Sequence, residues 1–251
     1  MCIRDRLLTA ENSLVEKFGK NGLCQKTFLD VGCGSGIFSI SALKLGARQV
    51  VAFDYDEFSV QATTQNCLKF RPDSYQDFEV FQGDILDENM ITELQKFDIV
   101  YSWGVLHHTG DMKSAIRNAS TLVAEKGSFL LALYNDQGWR STVWKYIKRL
   151  YVSSPKIVQT LLLVFCFVRL WLPTMFKDQM NGHKNSAWSK YSSRRGMSPW
   201  IDLRDWVGGY PFEVASPKFV VECVENLGFK LVNTKLVMDG LGCNEYLFVK
   251  S

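Results

Sequence analysis

FLDVGCGSGIFSIS, residues 28–41, sets three glycines within five positions between two apolar runs. Thr27–Val31 (TFLDV) reads as a short buried strand, and Ile37–Leu45 as a helix stopped by Gly46. Backbone this bare, between a first strand and the next helix, is where an open α/β sheet receives a nucleotide-like ligand. The dinucleotide fingerprint requires G-x-G-x-x-G. Gly32, Gly34 and Gly36 give G-x-G-x-G instead, with Ile37 following, so the spacing argues against a dehydrogenase.

Outward from this turn, strands and helices alternate. Glu11–Phe18 has helical spacing and is followed by Gly19 and Gly22. Further strands are predicted at Gln49–Asp54, Asp77–Asp84, Phe97–Ser102 and Ser128–Asn135, with helices over Glu57–Leu68 and Met112–Val123. After an interruption, a helix over Pro217–Asn226 precedes strands at Phe229–Val237 and Cys243–Lys250. The link MDGLG is too short for a crossover, so the last two strands run antiparallel. The expected architecture is α/β: a Rossmann-like, seven-stranded, mostly parallel sheet with an antiparallel last strand, in a three-layer αβα arrangement with a helical lid insertion. The expected parts are an N-terminal tail and helix (1–22), a ligand-binding core (23–135), an insertion (136–215) and the C-terminal part of the sheet (216–251).

Charge narrows the ligand. Asp30 stands two residues before Gly32, where an unpaired carboxylate would repel a pyrophosphate. S-adenosylmethionine (SAM) carries a sulfonium and an ammonium, which a partly desolvated carboxylate at ~4–6 Å favours by on the order of 1–3 kcal/mol. The alternative for Asp30 is a hydrogen bond within its own loop. Asp54, closing the second strand, suits two ribose hydroxyls, and Tyr55 offers a flat face. Asp84 is placed to accept from an adenine amino group and Ile85 to cover the ring. Acids at three successive strand ends lie along the edge where such sheets bind ligands.

DVGCGSG, VVAFDYD, GDILD and FDIVYSWGVLHHTGDM resemble the successive motifs of class I SAM-dependent methyltransferases, over about residues 23–132 and again over 216–249. The resemblance implies a methyltransferase with SAM as cofactor. Its pocket would hold Asp30, Gly32, Cys33, Gly34, Asp54, Tyr55, Asp84, Ile85 and Ser102. It also extends loosely to bacterial ubiquinone-type O-methyltransferases, a grouping that rests on the shared SAM-binding half; the acceptor is expected to be a small molecule, with oxygen favoured over nitrogen. Methyl transfer needs a nucleophile held in line with the S–CH3 bond and, for a hydroxyl, a base. His107 and His108 follow the fourth strand and are the candidate bases; the other reading is that they orient the loop before Thr109 and Asp111. No metal is assigned. Trp103, Asn135, Asp136, Arg195, Tyr210 and Glu213 are candidates for the acceptor, and Asn135 and Asp136 also fit an ordinary turn. The rival readings are a non-catalytic SAM-binding or regulatory subunit and, less well supported by spacing, an NAD-dependent oxidoreductase.

In the insertion, Trp139, Val143, Tyr146, Ile147 and Leu150 share one helical face, with Lys145, Lys148 and Arg149 opposite. Ile157–Leu172 is apolar almost all round, but Lys156 and Pro173 enclose too few residues for the ~20 of a membrane span. Three roles stay open for residues 139–176: packing in a helical subdomain, peripheral membrane contact, or a homodimer interface.

The formal charge of +3 and the absence of an Asn/Asp-Pro-Pro-Tyr/Phe sequence after the fourth strand argue against nucleic acid as partner. Seven cysteines without a C-x-x-C pair fit a reducing cytoplasm, with the protein free or peripheral to a membrane. Residues 1–6, MCIRDR, resemble the translation of a sequencing adaptor, so the natural N-terminus is expected to be missing and these residues are left out of the fold reading.

Overall fold

The computed structural model describes residues 3–70, 77–180, 188, 191, 198–237 and 242–251. The chain divides into two compact units. Residues 7–136 with 213–251 form one, and residues 137–212 with the N-terminal residues up to Arg6 form the other.

The first unit is a seven-stranded sheet in the order β3-β2-β1-β4-β5-β7-β6. Its strands are β1 (Thr27–Val31), β2 (Gln49–Asp54), β3 (Phe78–Gln82), β4 (Phe97–Trp103), β5 (Val123–Tyr134), β6 (Phe229–Lys235) and β7 (Cys243–Lys250). Pairing is parallel from β3 through β5, and β7 runs antiparallel to both of its neighbours. The antiparallel final strand is therefore the one reversed member of the sheet.

Strand residues alternate between two faces. Leu29, Val31, Val51 and Phe53 join the main core with α4 (Glu88–Glu93), α5 (Met112–Thr121) and α9 (Pro217–Glu225). Asp30 points the other way, toward α2 (Ile37–Lys44), where Ser39 meets it. Beside α2 run α1 (Ile3–Phe18) and α3 (Glu57–Phe70). Both faces are thus covered, as parallel strands require.

Several boundaries differ from the spacing-based expectation. Helix α1 begins at Ile3, not Glu11, because Leu7, Ala10 and Leu14 make a buried stripe; the adaptor-like residues 3–6 extend that helix. Helix α5 stops at Thr121, and β5 starts at Val123 rather than Ser128. Val123 pairs with Phe97, and Lys126 takes a left-handed turn (φ 62°) before the ladder resumes at Ser128. The short α4 has no counterpart among the predicted helices; Asp87 caps it by accepting from the N–H groups of Asn89 and Met90.

The second unit contains α6 (Trp139–Ser153), α7 (Lys156–Met180) and α8 (Pro199–Gly208). Its core is Tyr151, Cys166, Leu203 and Val207, with Trp144, Leu162, Phe167 and Trp171 packed around them. The faces of α6 are now assigned, and the expected end of α7 is corrected. Helix α6 packs inward through Ser141, Lys148 and Tyr151, so the apolar stripe of Trp139, Val143, Tyr146 and Leu150 faces outward. Helix α7 does not stop before Pro173 but continues to Met180. Pro173 lies on the exposed side, where water can serve the carbonyl that its missing N–H leaves unbonded. At 25 residues, α7 is long and apolar enough to cross a membrane by length and composition, and only 11% of its most apolar stretch is buried.

Candidate active site

Because β3, β2, β1 and β4 are parallel neighbours, their C-terminal ends share one edge of the sheet. That edge collects Asp30, Gly32, Cys33, Gly34, Asp54, Tyr55, Asp84, Ile85, Ser102 and Trp103.

The glycine turn is built from both sides. Gly32 donates its N–H to the carbonyl of Phe53 at 2.8 Å. With φ at 77°, a Cβ there would sit 2.4 Å from the Val105 methyls, so this glycine exists for close approach of the loop after β4. Gly34 is different: φ is 56° and a Cβ would meet nothing within 4 Å. Its bare backbone faces open space, the arrangement a ligand needs. Asp54 reaches across from β2, one carboxylate oxygen accepting from Gly34 N–H at 2.8 Å and the other from Asp56 N–H at 3.0 Å. The ribose-type acid and the glycine turn are therefore one hydrogen-bonded assembly.

Helix α3 supplies two supports that the motif reading missed. Thr63 Oγ1 donates to the Gly34 carbonyl at 2.9 Å, and Asn66 Nδ2 to the Ser35 carbonyl at 2.9 Å. The signal was available: both lie on one side of a predicted helix, but polar residues at helical spacing read as solvent-facing.

Asp30 is buried and accepts from Ser39 Oγ at 2.5 Å. Burial, then the charge of Asp54, pushes its carboxyl up to about 7, against the pull of the Ser39 hydrogen bond. Both readings of this residue are thus partly present: it is tied to the adjoining helix, and its negative charge lacks a cation. The Cys33 thiol is pushed up to about 12, chiefly by burial and secondarily by Asp30, which keeps it protonated and inert.

Along the rest of the edge, Tyr55 is 75% exposed. Asp84 accepts from Leu86 N–H at 2.9 Å. Ile85 is corrected: its side chain lies in the main core, and Asn118 takes its carbonyl, so it does not present a ring-covering face. Ser102 is buried and donates to the Val31 carbonyl at 3.3 Å, joining β4 to β1. Trp103 leaves its ring partly exposed while Nε1–H reaches Glu245 at 3.4 Å.

The two histidines separate. They occupy a single 3-10 turn, Leu106–His108. His107 is fully buried, its Nδ1 accepting from Tyr134 N–H at 3.4 Å and its ring 3.9 Å from the Tyr134 ring. A substrate hydroxyl has no access to a side chain so enclosed, which removes it as a base. His108 is half-buried, edge-on to Tyr134 at 5.4 Å. Asp111 caps α5 through Ser114 N–H, and that bond holds its carboxyl below the usual range. Among the described residues no group of three or more His, Cys, Asp or Glu is clustered to hold a metal.

Of the acceptor candidates, three serve first as fasteners. Glu213 accepts from Met112 N–H at the start of α5 and donates its own N–H to the His107 carbonyl, both at 2.9 Å. Asn135 accepts from Asn244 at 2.9 Å, and Asp136 donates its N–H to the Ala215 carbonyl at 3.2 Å. Tyr210 belongs to the helical unit. Arg195 lies outside the described residues.

A methyltransferase-domain family matches residues 24–183, more than half of the chain, and the chain belongs to that family. Together with the sheet order it is a class I SAM-dependent methyltransferase by fold and family. Among curated relatives, a ubiquinone biosynthesis O-methyltransferase of Glaesserella parasuis is 35% identical over 118 residues, 46% of this chain and 48% of that protein. A ribosomal protein L11 methyltransferase of Thermoanaerobacter pseudethanolicus is 49% identical over 59 residues, 24% of this chain and 18% of the other. The chain thus spans about half or less of the length of these relatives. Magnesium protoporphyrin IX methyltransferase of Synechocystis PCC 6803, crystallised with SAH, shares the fold at 16% identity and a TM-score of 0.59, covering 99% of this chain and 84% of that one. An O-methyltransferase family protein of Burkholderia thailandensis also has a TM-score of 0.59, at 14% identity, covering 98% and 57%.

Proposed function

We propose that the chain is an active SAM-dependent methyltransferase acting on a hydroxyl of a small molecule. The observation that carries the reading is the link from Asp54 to the half-buried Gly34 backbone, with the buried Asp30 behind it. When bound, SAM supplies a methyl carbon on a cationic sulfur. Asp54 would hold the ribose and Asp84 the adenine amino group, and Asp30 would settle the positive charge. The chain's remaining task is to aim the acceptor and to take its proton. His108, half-exposed on the loop after β4, is the group placed for that.

The oxygen acceptor rests on the 118-residue match to the ubiquinone biosynthesis O-methyltransferase; ribosomal protein L11 methyltransferases match over 131 and 144 residues, so a protein acceptor is the competing reading. Calorimetric titration with SAM, followed by turnover on pools of phenols, hydroxy acids and ribosomal protein, tests the reading. Asp54→Ala should weaken SAM binding at least tenfold, whereas His108→Ala should keep SAM affinity and lower turnover about 10²–10⁴-fold. Unchanged SAM affinity in the first variant would sink the pocket. SAM binding without any product would mark a regulatory chain, and methylation of the ribosomal protein alone would replace the acceptor class.

A further inference from the structure

Helix α7 has two apolar faces, and the unit's own core uses one of them. Leu162, Cys166 and Leu170 pack against Tyr151, Leu203 and Val207. The opposite stripe, Ile157, Leu161, Phe165, Val168, Leu172 and Phe176, recurs every three to four residues and lies in solvent, with Ile157 78% and Phe176 67% exposed. Helix α6 repeats the pattern with Trp139, Val143, Tyr146 and Leu150. A soluble surface does not ordinarily carry so long an apolar stripe without an occupant.

Charge identifies the occupant. Residues 139–180 contain seven Lys and Arg against one acid, Asp178. Lys148 is buried; the other six, Arg140, Lys145, Arg149, Lys156, Arg169 and Lys177, are exposed. Aromatic and aliphatic residues interleaved with basic ones on a helix pair suit an interface that is apolar below and negative above. A second copy of the chain would bring six cations against six, which disfavours a dimer through this face. Crossing the bilayer would strip α7 from the core it completes with α6 and α8, so the helix lies along the surface despite its length.

We propose that the helical unit docks on an anionic lipid bilayer through the outward faces of α6 and α7, with the apolar stripe at the level of the headgroups. The docking is independent of which acceptor the sheet unit serves.

Co-sedimentation of the full chain with vesicles of phosphatidylcholine, with and without about one-third phosphatidylglycerol, tests this. Binding should be at least tenfold tighter to the anionic vesicles and should fall about tenfold or more when salt is raised from roughly 0.1 to 0.5 M. Phe165→Glu with Phe176→Glu should lose vesicle binding about tenfold or more while keeping the helical circular dichroism and the SAM affinity of the parent. Failure to bind either vesicle would overturn the proposal, as would unchanged binding by that folded variant. A concentration-dependent dimer abolished by the same pair would assign the face to a second copy. Resistance to alkaline extraction from vesicles would show a spanning helix instead.

Discussion

The two units place their ionisable groups in opposite ways. In the sheet unit the buried charge is an acid at the ligand edge, Asp30, answered by one hydroxyl. In the helical unit it is a base, Lys148, held between the rings of Trp206 and Phe212 at 4.0 and 4.8 Å and donating to the Trp206 carbonyl. That carbonyl belongs to the last turn of α8, where a cation is favoured. Burial still disfavours the Lys148 ammonium, which gives up its proton within the folded unit, whereas Asp30 lies at the ligand edge, where a bound cation would favour its charge. One buried group lies in a small core, and the other at the sheet edge that carries the candidate site.

The sharpest way to break this contrast is within the glycine turn. Gly32→Ala forces a Cβ into Val105 at a left-handed backbone position, and should cost more than ~3 kcal/mol in denaturant unfolding. Gly34→Ala meets no atom and should cost only about 1 kcal/mol while still weakening SAM binding. Equal losses of stability would show that Gly34 is also packed against protein.

The pH dependence of the helical unit comes next in size. Burial lowers Lys148 to about 7 from an ordinary 10.5. Between those values the unfolded chain binds a proton that the folded unit has released, so stability rises with pH across that window. From pH 7 to 9 the gain should reach roughly 2 kcal/mol, and Lys148→Met should flatten the slope. Thermal melts followed at the helical signal read this directly.

Asp30 has the reverse sign. Between an ordinary 3.8 and about 7, the folded unit keeps a proton that the unfolded chain loses, so stability falls as pH rises through that range. A bound cation favours the ionised form, so SAM affinity should instead increase about tenfold from pH 6 to 8, with uptake of SAM releasing a proton. Asp30→Asn should leave calorimetric affinity nearly independent of pH.

Legibility in the sequence follows the same division. In the sheet unit, apolar runs are buried by their own neighbours, so strand positions, the final reversal and the glycine turn follow from local pattern. What escaped there depended on long-range pairing: Val123 becomes strand only because Phe97 lies opposite, and Thr63 reaches the glycine turn only because α3 folds beside it. In the helical unit the pattern misleads. The stripe of Trp139, Val143, Tyr146 and Leu150 has the spacing of a core face, yet Lys148 goes inside, against two aromatic rings and a helix-end carbonyl, where burial favours its neutral amine. His107 and His108 are adjacent in sequence, and only the turn that encloses one of them tells them apart.

The chain leaves the sheet after Asp136 and returns by Glu213, and the two ends are stitched side by side where Asn135 bridges Ala215. Such a closed neck makes the intervening residues a cassette. Exchanging it for another segment that spans the same neck should leave the seven strands in register, so this part of the chain can vary without rebuilding the sheet.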